Sequence, residues 1–454
     1  MRAHVELIET PTLGDRSYLV HDGSVAFVVD PQRDIDRVLA AVDRHGVRLT
    51  DVFETHIHND YLTGGLALSR ETGAAYHVNA ADDVSFTRTP IRDGEQVDTG
   101  DLRVRAVATP GHTFTHLSYV LSGPDDGETA VFSGGSLLFG ATGRPDLLGE
   151  EHTDELARLQ HASARRLAEL ADRVDLFPTH GFGSFCSASQ SDASESTIGR
   201  ERRTNPVLRQ EVDTWVRELR AGLDVWPAYY VHMSPANAAG PDAVPLDPPA
   251  SADPEELGRR LAAGEWVVDL RGRKAFAAGH APRTLNFGLD GSFATYLGWL
   301  VPWGTPVTLL GDSPDDIAEA QRELVRIGID RPAAASTGGP DRWTSGPLAS
   351  FETATFAELA DVRRHRQVVV LDVRRDSEFA ESHVEDAVGI PLHELADRLD
   401  EVPDGEVWVH CAAGYRASIA ASILDAADRE VVAVDDDFDQ AVGAGLPVTG
   451  AVVS

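Results

Sequence analysis

Short apolar runs alternate with helix-like stretches along the first half of the chain. The clearest predicted strands and helices are, in chain order, Ser17–Val20, Val25–Asp30, Ile35–His45, Asp51–Glu54, Gly64–Thr72, Val104–Ala108, Leu117–Leu121, Ala130–Ser133 and Asp154–Asp172. Because strands and helices are mixed throughout this length, the pattern favours two packed sheets with helices on the outside.

An internal repeat follows in the second half. The phrase Trp266–Arg271 (WVVDLR) returns as Val369–Arg374 (VVLDVR), and each predicts a buried parallel strand that ends in Asp-x-Arg before a helix. Repeats this far apart exceed solenoid periods and indicate a duplicated domain. A Pro-, Ala-, Gly- and Asp-rich stretch before them predicts a linker. The predicted division is 1–234 for the first domain, 235–254 for the linker, and 255–345 and 352–454 for the two repeats.

Charge and composition exclude several classes of partner. The 454 residues carry a formal net charge of −33, which disfavours binding to nucleic acid and to anionic membranes. No apolar run is long enough to span a bilayer, and Met1–Thr10 lacks the apolar core of a signal peptide, so we expect a cytoplasmic protein. The two cysteines, Cys186 and Cys411, lie in different motifs and predict no structural disulfide.

Three histidine clusters each lie at a predicted strand end, beside Gly or Pro. They are Thr55–Tyr61 (THIHNDY), Pro110–Thr113 (PGHT) and Pro178–Gly181 (PTHG). Imidazole and carboxylate groups are ligands for zinc and for non-haem iron. Since His56 and His58 leave the end of one strand, a tight loop can turn both side chains toward one point, and the sequence predicts a metal pocket.

This arrangement resembles the metallo-β-lactamase fold and, within that superfamily, the persulfide dioxygenases. The phrases that carry the resemblance are THIHND, PGHT, Gly143–Leu147 (GRPDL, with Arg144 and Asp146 as candidate site residues) and His180–Cys186 (HGFGSFC). The resemblance implies an αββα sandwich. It also implies iron ligands at His56, at His112 and at the position that Gly135 holds here.

Two positions depart from the family pattern. Two-metal hydrolases have a second histidine directly after the aspartate, where this chain has Tyr61, and this difference favours a single metal. Gly135 replaces the carboxylate that would bridge two zincs or complete the iron site. One account is that the metal is lost or weakened and the domain only binds sulfur compounds.

The account we favour is that His58 supplies the third ligand, so that His56, His58 and His112 hold one Fe(II) per chain, or alternatively Zn²⁺. Asp60 and His180 then lie around the ligands or are themselves possible ligands. On this hypothesis His58→Ala should remove the metal as thoroughly as His56→Ala. Substituting Gly135→Asp should raise metal affinity, because an ionised ligand adds charge attraction.

A cysteine loop lies in the second repeat. A buried strand, Val407–His410, leads into Cys411-Ala-Ala-Gly-Tyr-Arg416 and then into a helix-forming stretch. The helix dipole and backbone N–H groups lower the pKa of such a thiol, and Arg416 adds positive charge. The loop resembles that of rhodaneses, and it is one residue shorter than the Cys-x5-Arg loop of phosphatases. The first repeat has no cysteine at the matching place, which favours a spacer or docking role.

Together these features predict an αββα metallo-β-lactamase sandwich followed by two doubly wound α/β rhodanese domains. The expected function is a persulfide dioxygenase coupled to rhodanese sulfur transfer, acting on persulfides of glutathione, coenzyme A or similar thiols, in a homo-oligomer. Two alternatives remain open: a sulfurtransferase with a degenerate metal domain, and a zinc thioester hydrolase of the glyoxalase II type. Cys186 is expected to be a small buried residue rather than a reactive thiol.

Overall fold

A computed structural model describes residues 3–123, 127–191 and 193–450. The chain forms two compact units, Met1–Pro245 together with Val325–Gly328, and Leu246–Leu324 together with Ile329–Ser454. None of the helices among the described residues is long and apolar enough to cross a membrane.

Two six-stranded sheets form the centre of the first unit, as far as its residues are described. The first sheet has the order β1-β2-β3-β4-β5-β6, with β1 (His4–Thr10), β2 (Asp15–His21), β3 (Val25–Val29), β4 (Arg48–Phe53), β5 (Ala75–Asn79) and β6 (Thr89–Ile91). The second has the order β12-β11-β10-β9-β8-β7, with β7 (Gln96–Thr99), β8 (Leu102–Ala108), β9 (Leu117–Ser122), β10 (Glu128–Gly134), β11 (Asp175–Pro178) and β12 (Ser196–Thr197).

The two-residue period of the strands explains how the sheets pack. In β3, Phe27 and Val29 lie in the core shared with Tyr119 and Phe132 of the second sheet. Val28, which points to the opposite face, lies in a different core. Because β3 is buried on both faces, it is apolar throughout.

Helices cover the two outer faces. They are α1 (Asp36–His45), α2 (Gly65–Thr72), α3 (Glu150–Leu167), α4 (Ile198–Thr204), α5 (Pro206–Arg209), α6 (Val212–Gly222) and α7 (Tyr230–Ala239). Val38 of α1 and Leu66 of α2 pack on the first sheet, while Ala164 of α3 and Trp215 of α6 pack on the second. The predicted sandwich of two sheets between helices is confirmed. Helix α7 extends into the predicted linker as far as Ala239, and residues 240–253, all of them described, contain no helix or strand.

Strand direction brings the histidine loops to one end of the sandwich. In the second sheet β9 runs antiparallel to both β8 and β10, and β10 runs parallel to β11. The carboxyl ends of β8, β10 and β11 therefore lie at the same edge, and these ends lead to His112, Gly135 and His180. The end of β4 in the first sheet leads to His56 and His58.

The second unit contains two parallel sheets and a small two-stranded sheet. Its strands are β13 (Trp266–Asp269), β14 (Leu285–Asn286), β15 (Val307–Gly311), β16 (Ala334–Thr337), β17 (Glu352–Ala354), β18 (Val369–Asp372), β19 (Ser382–Val384), β20 (Val388–Gly389), β21 (Val407–His410), β22 (Val431–Val434) and β23 (Val448–Gly450). The helices after residue 245 are α8 (Pro254–Ala262), α9 (Arg273–Ala278), α10 (Phe293–Leu300), α11 (Pro314–Arg326), α12 (Phe356–Arg363), α13 (Asp376–Glu381), α14 (Leu392–Leu395), α15 (Tyr415–Ala426) and α16 (Gln440–Gly443). The order β14-β13-β15-β16 recurs as β20-β18-β21-β22, with β17 added at the edge, as a duplication requires.

The repeated Asp-x-Arg phrase makes the same contacts in both copies. Arg271 binds Asp269 through two nitrogens and donates to the carbonyl oxygen of Gly279 at 2.9 Å. Arg374 binds Asp372 in the same way and donates to the carbonyl oxygen of Ser382 at 2.6 Å. These side chains fix the loops that follow β13 and β18, so their role is structural.

Candidate functional site

His56 is held through one ring nitrogen. Its Nδ1 lies 2.8 Å from the hydroxyl of Thr55, and that hydroxyl donates to Asp30 Oδ2 at 2.8 Å. Because the single hydroxyl proton goes to the carboxylate, Nδ1 of His56 must donate its own proton to Thr55. The other nitrogen, Nε2, then carries a lone pair, and it is buried without a hydrogen-bond partner.

His180 is also held by hydrogen bonding at one ring nitrogen. Its Nδ1 lies 2.9 Å from Asp15 Oδ1 and 3.2 Å from Asp60 Oδ2, so this nitrogen is the protonated one. Its Nε2 is buried and has no partner. Burial alone would lower the pKa of His180, but Asp60 and Asp15 raise it to about 9. The hydroxyl of the preceding Thr179 donates to Asp30, at the same oxygen that accepts from Thr55.

His58 presents the opposite nitrogen. Its Nε2 lies 3.1 Å from Glu54 Oε2, 3.4 Å from Asp30 Oδ1 and 3.0 Å from the Tyr61 hydroxyl. Its Nδ1 is buried without a partner. Although burial opposes the charge, Asp30 and Glu54 raise the pKa of His58 to about 10. Tyr61, where two-metal hydrolases have a ligand, therefore orients His58.

His112 is anchored to backbone. Its Nδ1 donates to the carbonyl oxygen of Arg144 at 2.8 Å, and its Nε2 is buried and unpartnered. Burial, followed by the nearby charge of His180, lowers the pKa of His112 to about 3. The Arg144 side chain forms a two-point ion pair with Asp146, with both contacts at 2.7 Å. The predicted residues Arg144 and Asp146 thus position the loop that holds His112.

Four imidazoles accordingly offer four nitrogens without a hydrogen-bond partner to one pocket, and a metal ion would displace the protons that His58 and His180 carry at neutral pH. The rings of His56 and His58 are 4.1 Å apart, and those of His56 and His112 are 4.8 Å apart. Ligand atoms of His56, His58 and His180 lie within 4.8 Å of one another, and so do those of His112, His180 and Cys186. Each histidine has one nitrogen fixed by hydrogen bonds while the other is free, which is how metal-binding histidines are oriented. The residues therefore fit a metal ion, and His180 belongs with the ligand candidates rather than around them.

The space at Gly135 is already filled. A β-carbon at this position would lie 2.3 Å from His112 Cδ2, and a β-carbon at Gly134 would lie 2.4 Å from His116 Nε2. His116 is buried, and its Nε2 accepts from the Gly135 N–H at 3.0 Å. Gly135→Asp, which the sequence predicts to raise metal affinity, therefore requires His112 to move, because the ring occupies the volume that the new side chain needs.

Sequence reasoning missed Asp30, Asp15, Glu54 and His116. One signal was available: the dipeptide Thr-His occurs at both 55–56 and 179–180. Both threonine hydroxyls donate to Asp30. No local pattern marks Asp15, because its partner His180 lies far away in the chain. Glu54 lies only four residues before its partner His58 and was overlooked.

Cys411 lies between β21 and α15, as the sequence predicts. Its side chain is buried, and its sulfur accepts a hydrogen bond from the Gly414 N–H at 3.2 Å. Gly414 has a φ of 89° just before the helix begins at Tyr415. This left-handed conformation closes the tight loop around the sulfur and favours glycine there.

Arg416 is paired with a carboxylate. Its guanidinium binds Glu378 through two contacts of 2.6 and 2.8 Å. Burial opposes ionisation of Glu378, yet Arg416 lowers the pKa of this carboxyl to about 2. Since Glu378 neutralises Arg416, the arginine lends the loop less positive charge than its motif indicates.

Residues of the first repeat contact the Cys411 loop and its surroundings. The Tyr415 hydroxyl donates to the Gly288 carbonyl at 2.8 Å, and Arg273 Nε donates to Asp435 at 2.6 Å. A pocket beside Arg416 is lined from both repeats, by Tyr296, Trp299, Leu300, Val373, Leu392 and His393. The first repeat lacks a nucleophile of its own but contributes walls to the site of the second, which a spacer would not do.

Two family models match parts of this chain. Residues 13–180 match the metallo-beta-lactamase superfamily, and residues 355–443 match the rhodanese-like domain. The second match covers only the second repeat.

Relatives of known name are similar over the first unit. A hydroxyacylglutathione hydrolase of Rhodopseudomonas palustris is 33% identical over 150 residues, which cover 32% of this chain and 56% of that protein. One from Pseudomonas entomophila is 30% identical over 220 residues, 41% of this chain and 81% of that protein. The chain thus spans little more than half the length of the first relative.

A metallo-beta-lactamase structure from Staphylococcus aureus is 24% identical, covers 74% of this chain and 99% of its own, and superposes with a TM-score of 0.66. At that identity the likeness shows the fold alone.

Proposed function

Because this chain belongs to the metallo-beta-lactamase superfamily and carries a rhodanese-like domain, we propose that it couples two steps of sulfur chemistry. The first unit oxidises the sulfane sulfur of a low-molecular-weight persulfide with one Fe(II) per chain. Cys411 of the second unit transfers sulfane sulfur. The observation that carries the proposal is the four-histidine pocket without a bridging carboxylate, in a chain that also presents a thiol in a rhodanese-type loop.

The ring nitrogens of the pocket support the proposal of a metal centre. His56, His112 and His180 offer Nε2, and His58 offers Nδ1, all of them buried. Neutral imidazoles suit Fe(II) as well as Zn²⁺. When bound, Fe(II) supplies a Lewis acid for an anionic sulfur and the means of activating dioxygen. The ligands are at most 1% exposed, so the protein keeps bulk water from the ion.

The reaction balances with dioxygen and water as co-reactants. A persulfide RSSH, O2 and H2O give RSH, sulfite and two protons, and the sulfane sulfur loses four electrons to dioxygen. The hydrogen bonds that His56 donates to Thr55 and that His112 donates to the Arg144 carbonyl orient both rings before substrate arrives. Tyr61 and Glu54 hold His58 in one tautomer.

Cys411 supports the transfer step. Attack of its thiolate on the outer sulfur of a persulfide RSSH breaks the donor S–S bond, releases RSH and forms a Cys411 persulfide. Attack by sulfite on the outer sulfur of that persulfide then releases thiosulfate and the Cys411 thiolate. The Gly414 N–H stabilises charge on the sulfur. The pocket beside Arg416, which includes Trp299 and Tyr296, offers room for the donor or acceptor.

A second candidate is a zinc thioester hydrolase. It is favoured by the hydroxyacylglutathione hydrolases that are 30% and 33% identical to this chain. Gly135 opposes it, since this position supplies no carboxylate to bridge two zinc ions. A third candidate, sulfur transfer alone, would require the pocket to remain metal-free.

Three measurements on anaerobically purified protein separate these candidates. They are metal content, oxygen uptake with glutathione persulfide, and hydrolysis of a hydroxyacyl-glutathione thioester. Iron near one per chain with persulfide-dependent oxygen uptake supports the proposal. Two zincs with thioester hydrolysis support the second candidate, and the absence of both metals supports the third.

Matched variants assign each activity to its unit. His56→Ala should abolish oxygen uptake and leave thiosulfate:cyanide sulfur transfer intact. Cys411→Ser should do the reverse, and Arg416→Ala should weaken transfer less than Cys411→Ser, because it removes charge and not the nucleophile. Full sulfur transfer by Cys411→Ser would refute the assignment of the thiol.

A further inference from the structure

The metal pocket lacks the negative ligand that its fold family places at Gly135. Three or four neutral imidazoles leave a divalent ion with its full charge among ligands that are at most 1% exposed. Holding such a charge away from water costs free energy unless an anion lies beside it. A source of negative charge must therefore be sought elsewhere in the pocket.

Cys186 lies where such a ligand is needed. It is fully buried, and its sulfur lies within 4.8 Å of ligand nitrogens of His112 and His180. The Nε2 atoms of both histidines are buried without partners. The thiol therefore lies beside two imidazoles that each have a ring nitrogen without a partner, and it is not surrounded by apolar side chains alone.

The backbone of Arg144 ties Cys186 to His112. The Arg144 N–H donates to the Cys186 carbonyl at 2.8 Å, and the Arg144 carbonyl accepts from His112 Nδ1 at 2.8 Å. On its other side, the Cys186 N–H donates to the Ser184 hydroxyl at 3.2 Å. These bonds hold the thiol and the imidazole in one rigid arrangement, which ligands of a single ion require.

We propose that the Cys186 thiolate binds the metal directly and replaces the carboxylate missing at Gly135. The site is then a mixed imidazole–thiolate centre for a borderline divalent cation such as Fe²⁺ or Zn²⁺. On binding, the thiol loses its proton to the buffer and a sulfur–metal bond forms, with no change in oxidation state. The inference rests on the metal centre of the proposed function, but not on which reaction that centre performs.

Asp60 is the rival anion. Its Oδ2 lies 3.2 Å from His180 Nδ1, on the protonated side of that ring. Both of its oxygens are nevertheless buried without a hydrogen-bond partner, so Asp60 is also a possible ligand. A thiolate and a carboxylate give a bound ion different absorption spectra, so the measurement that follows separates Cys186 from Asp60.

Co²⁺ is the probe of choice, because a thiolate ligand gives an intense charge-transfer absorption in the near ultraviolet that imidazole and carboxylate ligands do not. We would load the full chain, stripped of metal, with Co²⁺ and compare wild type with Cys186→Ala and Cys186→Ser. Cys411→Ser is the matched control, since it removes the other cysteine of the chain. Competition with a chelator gives the Zn²⁺ affinity of each protein, and thermal unfolding of the metal-free forms checks that each variant folds.

The charge-transfer band should appear in wild type and in Cys411→Ser, and should be absent from both Cys186 variants. Loss of outer hydrogen-bond partners already weakens metal binding by about tenfold or more, so loss of a direct ligand should weaken Zn²⁺ binding at least that much. A band that persists in Cys186→Ala, or Co²⁺ bound by wild type with no band, would overturn the inference and leave the histidine centre standing. Failure of folded wild type to bind Co²⁺ or Zn²⁺ at all would overturn both.

Discussion

Substitution of Gly135 tests whether the pocket could accept the side chain that its family carries. Carbon atoms pack best at about 3.5 to 4.0 Å, whereas a β-carbon here would lie 2.3 Å from His112 Cδ2. The ring of His112 must therefore move by more than about 1 Å, and overpacking of this size costs roughly 1–3 kcal/mol. We expect Gly135→Ala and Gly135→Asp to lower metal affinity by about 5- to 150-fold, or to lower stability by the same free energy if the ring stays in place.

Both quantities should be measured on the same proteins. Zn²⁺ affinity by chelator competition reports displacement of the ligand, and urea unfolding of the metal-free protein reports strain. Gly222→Ala is the control, because a β-carbon at the end of α6 would meet no atom within 4 Å. Tighter Zn²⁺ binding by Gly135→Asp at unchanged stability would refute the steric reasoning and restore the expectation drawn from the sequence.

Three further outcomes follow from the contacts. His180→Ala should lower the metal content, measured by elemental analysis, as thoroughly as His56→Ala. A wild-type metal content in His180→Ala would show that His180 is not a ligand. Cys186→Ser should leave thiosulfate:cyanide turnover at the wild-type rate, and a loss would show that sulfur passes through both units. Since the pKa of Glu378 falls from 4.5 to about 2 on folding, Glu378→Gln should lower the free energy of unfolding by up to about 3 kcal/mol above pH 4.5. In urea unfolding this difference should shrink as the pH falls toward 2, and a difference that does not change with pH would contradict the ion pair with Arg416.

The sequence predicted those features that depend on periodicity and on short loops. The β-rich run Val25–Asp30 predicted the strand that forms β3, and the Cys411 loop was placed between a strand and a helix from its neighbours alone. The role of His180 could not be read in this way, because it depends on Asp15, which precedes it by most of the first unit. The volume at Gly135 was also hidden, since only the folded chain shows that the ring of His112 fills it.

The two repeats illustrate why some features were predictable from the sequence and others were not. Asp269 and Arg271 make the contacts that Asp372 and Arg374 make, although only the second repeat carries a cysteine. Motifs that serve the fold therefore recur in both repeats, while the nucleophile occurs in only one. The contribution of Tyr296 to the pocket beside Arg416 has no counterpart in the repeated phrases and needed the structure to be found.

Asp30 gives the metal pocket a mechanical property. One oxygen of its carboxylate receives the hydroxyls of both Thr55 and Thr179, and these threonines precede His56 and His180 on loops from different sheets. A displacement of either loop therefore tends to displace the other, because both threonines bind the same oxygen atom. We therefore expect His56 and His180 to become ordered together. A metal ion would then find either both histidines in place or neither. Replacement of one carboxylate oxygen by an amide nitrogen, as in Asp30→Asn, would weaken this link and would also remove a negative charge beside His58.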